Sequence, residues 1–244
     1  EEVGSFECSD PLLTALWKVG WRTLRVCAED SYTDTPFRER GLYAGDMLPQ
    51  MGVTLAGSTD LGLVRRSLQL FQDMYADVFD TRVPRYPSEI GLLEDYPLLT
   101  LEALSWYLDY TGDTEFAAAL YPSYDRLLRR LMRERTGDGL VHNERVFIEW
   151  TQIQKSDVKN TAYHAILARC CRLMERLATR LGKAADRQTY RNYFQTLKAE
   201  VNDHFWNPAR GLFHDGIKDG APIDHYYPIS SLWPYLAGLT NEAQ

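Results

Sequence analysis

The sequence predicts an all-α fold: a two-layered toroid of helices with short β-hairpins in its longer connections. Three observations lead there. Apolar residues recur at helical spacing through most of the 244 residues. A stretch that is apolar around much of its circumference is followed by one with a single apolar stripe, so buried inner helices alternate with amphipathic outer ones. The links at 107–113 and 178–183 each join two helices, and 236–240 opens a third such link, so the unit recurs in structure rather than strictly in sequence. A TPR or ankyrin array is therefore a poor match.

The elements follow in order. Ser9-Asp10-Pro11 starts a first helix, a cap residue followed by proline at the first helical position, and the helix runs to about Glu29. A second spans Asp46 to Gly57. Ser58-Thr59-Asp60 caps a third, in which Leu61, Val64, Leu68, Phe71 and Tyr75 keep helical spacing. Residues 97–110 form a fourth, stopped by Thr111-Gly112-Asp113, and 115–135 a fifth with a break expected at Pro122. A sixth, Lys155 to Leu181, is apolar on several sides. A seventh, Asp186 to Phe205, places Tyr190, Phe194, Leu197, Val201 and Phe205 on one stripe. A last helix follows Asp224-His225-Tyr226-Tyr227-Pro228. Short strand pairs are expected within 136–150 and within 209–224. The longer connections, 30–46, 80–96, 136–155 and 206–226, hold the Pro, Gly, Trp and carboxylate residues and are expected at one end of the toroid, where function resides.

Composition bounds the rest. Apolar residues at 45% and charged residues at 25% describe a globular chain and exclude disorder. With 27 basic against 34 acidic side chains and no basic cluster, nucleic acid is excluded as a partner. No apolar run approaches the ~18 residues of a membrane span, so no membrane partner is expected either. The reading is of a soluble protein whose compartment (cytoplasmic, periplasmic or secreted) the residues leave open. Cys8, Cys27, Cys170 and Cys171 show no CxxC spacing and read as small buried hydrophobes. The histidines show no metal spacing, and there is no Gly-x-Ser-x-Gly, P-loop or GxGxxG motif; no metal and no cofactor is expected.

The chemistry is concentrated in Asp34-Thr35-Pro36-Phe37-Arg38-Glu39-Arg40-Gly41-Leu42-Tyr43-Ala44-Gly45-Asp46, with three carboxylates and two guanidinium groups in thirteen residues. A pocket for a neutral polyhydroxylated ring needs carboxylates for its hydroxyls, an aromatic face for its C–H surface and one acid held protonated. Read singly, Asp46 is a helix N-cap and Glu39 a surface partner of Arg38 or Arg40; read together with Tyr43 and Pro36, they form a sugar site. Asp95 is either an N-cap before Pro97 or a pocket acid, Glu149 either a rim ion pair or a pocket acid, and Trp150 a platform for a sugar ring. His225 reads first as a structural hydrogen-bonder and second as a partner for a substrate hydroxyl.

The 34–46 segment resembles the signature of the six-hairpin catalytic domain of bacterial α-L-rhamnosidases, glycoside hydrolase family 78. Cys8-Ser9-Asp10-Pro11-Leu12 with Trp17, Asp95-Tyr96-Pro97-Leu98-Leu99 through Tyr110-Thr111-Gly112-Asp113, Phe147-Ile148-Glu149-Trp150, and Phe205-Trp206 with Arg210-Gly211-Leu212-Phe213 are similar to further stretches of that domain. The resemblance implies inverting hydrolysis of terminal α-L-rhamnosides in an oligosaccharide, polysaccharide or glycoside. It makes Glu39 the general acid, with Asp34, Arg38, Tyr43, Asp46, Asp95, Glu149, Trp150 and His225 around the sugar. Tyr43 stands where the family commonly has Trp. The family takes its general base from a late Trp-Glu element that residues 1–244 do not contain. The expectation is therefore a partial domain over 1–244, about four of the six hairpins, with the rest of the parent chain as its partner. The alternatives are a six-hairpin glycosidase for another sugar, or a non-catalytic sugar-binding or scaffold domain derived from one.

Overall fold

The computed structural model describes residues 3–74 and 93–241. Eight helices account for most of the described residues: α1 Pro11–Cys27, α2 Ala44–Gly57, α3 Gly62–Met74, α4 Tyr96–Thr111, α5 Thr114–Arg133, α6 Thr161–Arg180, α7 Ala184–Phe205 and α8 Pro228–Ala237. Inner helices pack in a row, α2 on α4, α4 on α6 and α6 on α8. Outer helices lean against them, α1 on α2, α3 on α4, α5 on α6 and α7 on α6. Burial follows the sequence pattern. α6 buries fourteen of its twenty residues, whereas α7 buries only Tyr190, Phe194, Leu197, Val201 and Phe205, the stripe read from its spacing.

Local chemistry fixes the helix ends. Asp10 accepts the Leu12 amide at 2.8 Å with Pro11 at the first helical position, and Asp113 accepts the Phe116 amide at 3.0 Å. Gly112 ends α4 in the left-handed region, φ 69°, its amide on the Leu108 carbonyl at 2.9 Å. The break expected at Pro122 does not occur. α5 runs through it, because Pro122 lies on the exposed face, where water can satisfy the carbonyl that the ring leaves without a donor. Tyr75 and residues 80–92 of the second long connection lie outside the described residues.

Of the two expected strand pairs, the one within 209–224 is present, whereas the strand within 136–150 pairs with a segment beyond that range. β1 Asn143–Arg145 pairs antiparallel with β2 Ser156–Asn160, with Asn143 opposite Val158 and Arg145 opposite Ser156. β2 therefore occupies what periodicity assigned to the first turns of the sixth helix. Val158 is buried in a half-buried strand, and the Asn160 side chain caps α6 by accepting the Tyr163 amide at 3.0 Å, so the helix starts at Thr161. β3 Trp206–Asn207 pairs with β4 Leu212–Phe213. β5 Gly216–Lys218 pairs with both β2 and β6 Ala221–Pro222, which gives a four-stranded sheet in the order β1-β2-β5-β6.

Two of the core's large buried tyrosines have their hydroxyls engaged, as burial favours. Tyr32 meets Thr54 at 2.6 Å, and Tyr124 donates to Thr100 at 2.9 Å. Arg169 forks onto buried Glu102 at 2.6 and 2.5 Å and donates to the Leu236 carbonyl at 3.1 Å, tying α4, α6 and α8 together. Cys27, Cys170 and Cys171 are buried, as read; Cys8 is exposed, because it precedes α1 on the outer layer. No helix among the described residues is long and apolar enough to cross a membrane.

Candidate active site

Three segments meet at one end of the helical rows: the loop between α1 and α2, the start of α4, and the excursion between β1 and β2. Between them lies a pocket of about 580 Å³. Its lining includes Asp34, Arg38, Glu39, Tyr43 and Asp46 from the first segment, Tyr96 from the second, and Arg145, Phe147, Trp150 and Lys155 from the third.

The first loop is closed on itself. The Asp34 amide donates to the Gly41 carbonyl at 2.9 Å, and the Gly41 amide donates to Asp34 Oδ1 at 2.8 Å. Arg40 takes a positive φ of 51° to make the reversal. Glycine at 41 lets the Tyr43 ring lie against the backbone: a Cβ there would stand 2.7 Å from a Tyr43 ring carbon. Glu39 is carried near the tip, its Oε1 accepting from Arg38 Nη2 at 2.6 Å. Asp46 sits in the first turn of α2. The residue keeps an exposed surface, but desolvation of its carboxyl by the surrounding protein raises the pKa, and the charges of Asp34 and Glu39 add to that, against a backbone hydrogen bond that favours the ionised form.

The remaining wall is aromatic. Tyr43 meets Tyr96 edge-on at 6.4 Å between centroids, Tyr96 meets Phe147 at 5.9 Å, and Phe147 meets Trp150 at 5.0 Å. Lys155 Nζ lies 4.6 Å from the Phe147 centroid, and burial lowers its pKa. A cluster of carboxylates beside a run of rings can grip hydroxyls at one side of a sugar and C–H surface at another, and can deliver a proton between them.

Of the residues singled out from sequence, Asp34, Arg38, Glu39, Tyr43, Asp46 and Trp150 line this pocket. Three stand outside its lining. Asp95 is fully buried, its oxygens on the backbone of Phe147 and Ile148. Glu149 accepts from the Thr151 hydroxyl. His225 pairs through Nδ1 with buried Asp215 at 2.7 Å, an arrangement completed by the Tyr227 amide and the Ser230 hydroxyl on the same carboxylate. Tyr96, Phe147 and Lys155 were not singled out. The signal for Tyr96 was an aromatic residue directly before the proline of a helix start on a functional connection; Lys155 was hidden by its assignment to a helix. No group of three or more His, Cys, Asp or Glu among the described residues has the arrangement of a metal site.

Residues 1–230 match the model of the bacterial alpha-L-rhamnosidase 6 hairpin glycosidase domain. The chain belongs to that family. The family's solved structures carry the same architecture. A GH78 family rhamnosidase of Bacillus sp. GL1 superposes with a TM-score of 0.91 at 24% identity, over 100% of this chain and 26% of its own. A rhamnosidase from Klebsiella oxytoca with rhamnose bound superposes with a TM-score of 0.80 at 25% identity, over 98% of this chain and 46% of its own. A sialidase shares the fold at 13% identity and a TM-score of 0.73, over 99% of this chain and 22% of its own. The chain thus spans less than half the length of these structures. No curated protein matches the sequence.

Proposed function

We propose that this six-hairpin domain carries the sugar pocket of an inverting glycoside hydrolase acting on terminal α-L-rhamnosides. Glu39 is the general acid that protonates the leaving oxygen, and Asp34 and Asp46 hold sugar hydroxyls. Tyr43, Phe147 and Trp150 give the ring its apolar face, and Arg38 orients Glu39. The observation that carries this reading is one pocket lined by three carboxylates and by a continuous run of four rings. Family membership supports the glycosidase class, and the rhamnose bound to the Klebsiella oxytoca enzyme supports the sugar. The shared fold of a sialidase shows why architecture alone does not choose it. Inversion needs a second carboxylate to activate water from the far side of the ring. We assign that base, and the helices that cover the exposed Leu12, Leu16 and Val19 of α1 and Leu232 and Leu236 of α8, to further segments of the parent protein.

The test is Glu39→Gln in the intact protein. It keeps shape and removes the proton, so kcat on a natural rhamnoside falls on the order of a hundred- to ten-thousandfold while binding persists. Activated nitrophenyl rhamnosides, which need less protonation, lose much less. Wild-type turnover of a natural glycoside by this variant would end the assignment. A second reading rests on Asp46, whose carboxyl is raised above its ordinary range by desolvation and by the charges of Asp34 and Glu39, the direction a proton donor needs. Under it, Asp46→Asn instead of Glu39→Gln shows the loss that activated leaving groups relieve.

A further inference from the structure

Asp95 precedes α4 at its capping position, but its side chain does not cap the helix. Oδ1 accepts the Phe147 amide at 2.8 Å and Oδ2 the Ile148 amide at 2.9 Å. Glu94 grips the same segment one step upstream. Its Oε1 accepts the Glu144 and Arg145 amides at 2.8 and 3.2 Å, and its Oε2 the Asn143 Nδ2 at 2.9 Å. Two adjacent carboxylates thus take five N–H donors from residues 143–148.

Burying neighbouring carboxylates is unfavourable, and desolvation raises the pKa of both. What they hold is also unfavourable. Ile148 has a φ of 59°, in the left-handed region, where a β-branched side chain is an outlier. The Glu149 amide closes a tight turn over it, donating to the Phe147 carbonyl at 2.7 Å. Strain of this kind persists where the surroundings over-determine it. The turn leads directly to Trp150, which is 86% exposed and rests edge-on against Phe147. A ring that exposed takes its orientation from the backbone that carries it.

We propose that Asp95, assisted by Glu94, is a positioning residue for substrate binding: its two hydrogen bonds hold the Phe147–Ile148 turn in the shape that presents Trp150 to the sugar. The proposal rests on the reading of the pocket as a sugar site. Two amides from consecutive residues need an acceptor with two oxygens. Asparagine offers one and sets its NH₂ against the other amide, so Asp95→Asn is the discriminating change.

In the intact protein, Asp95→Asn is expected to raise KM for a rhamnoside roughly ten- to a hundredfold, as for a lost charge-assisted hydrogen bond, with kcat at saturation within a fewfold of wild type. The deciding measurement is the double-mutant cycle with Trp150→Ala. If Asp95 acts through Trp150, the double variant has the KM of Trp150→Ala alone, since a ring that is absent needs no positioning. Additive effects, or a lower melting temperature with unchanged KM, would overturn the proposal and leave Asp95 as a structural group. Should Asp95→Asn fail to fold, Glu94→Gln, which is less buried, carries the same cycle with the same two outcomes. Trp150→Ala with unchanged KM would remove the sugar-site reading itself, a failure distinct from additivity.

Discussion

Protonation of one buried histidine sets an acid limit on the wall of this pocket. His164 is fully buried on α6. The Val141 amide donates to its Nε2 at 2.8 Å, so the ring proton resides on Nδ1 and is donated to the Asn160 carbonyl at 2.6 Å. The neutral ring is fully satisfied; a second proton would set N–H against N–H. Burial accordingly lowers its pKa from 6.5 to about 4, with the smaller effects of Lys159 and His204 in the same direction and those of the Asn160 carbonyl and Asp138 opposed. In the unfolded chain the ring binds a proton near 6.5, in the fold only near 4. Between those values the unfolded state holds more protons, so stability falls as pH falls and levels off below about 4. At about 1.4 kcal/mol per tenfold in proton affinity, the full loss is roughly 3 kcal/mol. Asp46, Glu94 and Asp95, whose carboxyls are raised, act in the opposite direction above their ordinary pKa values, so the histidine must be isolated by difference. His164→Gln offers one donor and one acceptor and does not titrate. Urea unfolding of both proteins at intervals from pH 7.5 to 4 is expected to show the wild type losing roughly 3 kcal/mol relative to the variant. Parallel pH profiles would refute the argument. The same His164 contacts hold Val141, just before β1, and Asn160, the last residue of β2, on either side of the excursion that carries Phe147 and Trp150.

Other changes test packing and the pocket separately. Gly41→Ala pushes a methyl into Tyr43, so KM for a rhamnoside should rise severalfold with little change in melting temperature; an unchanged KM would show that Tyr43 does not touch substrate. Leu167, which is fully buried on α6, should cost about 2–5 kcal/mol when truncated to alanine, measured by denaturant unfolding, and a loss below 1 kcal/mol would mean the inner row is loosely packed. Arg169→Met leaves Glu102 buried without its guanidinium, an expected loss of about 3–5 kcal/mol that replacing Glu102 by Gln as well should largely restore.

The helices and the inner-outer alternation were legible because burial is written as periodicity: α6 and α7 differ in sequence as they differ in exposure. The start of α6 was not. Residues 155–160 carry no strong breaker, and what converts them into a strand is pairing with Arg145 on one side and with Gly216, far along the chain, on the other. The carboxylates of the pocket were legible because they share one short loop, and Trp150 because it lies on a long connection. Tyr96 and Lys155 were missed because each becomes part of the site only by tertiary placement. Asp95 shows the converse limit: the residue type was noticed, while its direction is decided by two amides some fifty positions away.

The carboxylates and most of the rings stand on different helical pairs, and this has a consequence for how such a pocket can diversify. The gap between its two jaws is not a property of either loop; it is set where α2 lies against α4, at a seam so close that a Cβ on Gly45 would come within 3.0 Å of the Tyr96 hydroxyl. A substitution at Gly45 acts on the opening through Tyr96, one of the pocket's own rings, and leaves the carboxylates of the first loop in place. Under the proposed sugar-site reading, preference among rings of different bulk is tunable from Gly45, which stands outside the pocket lining.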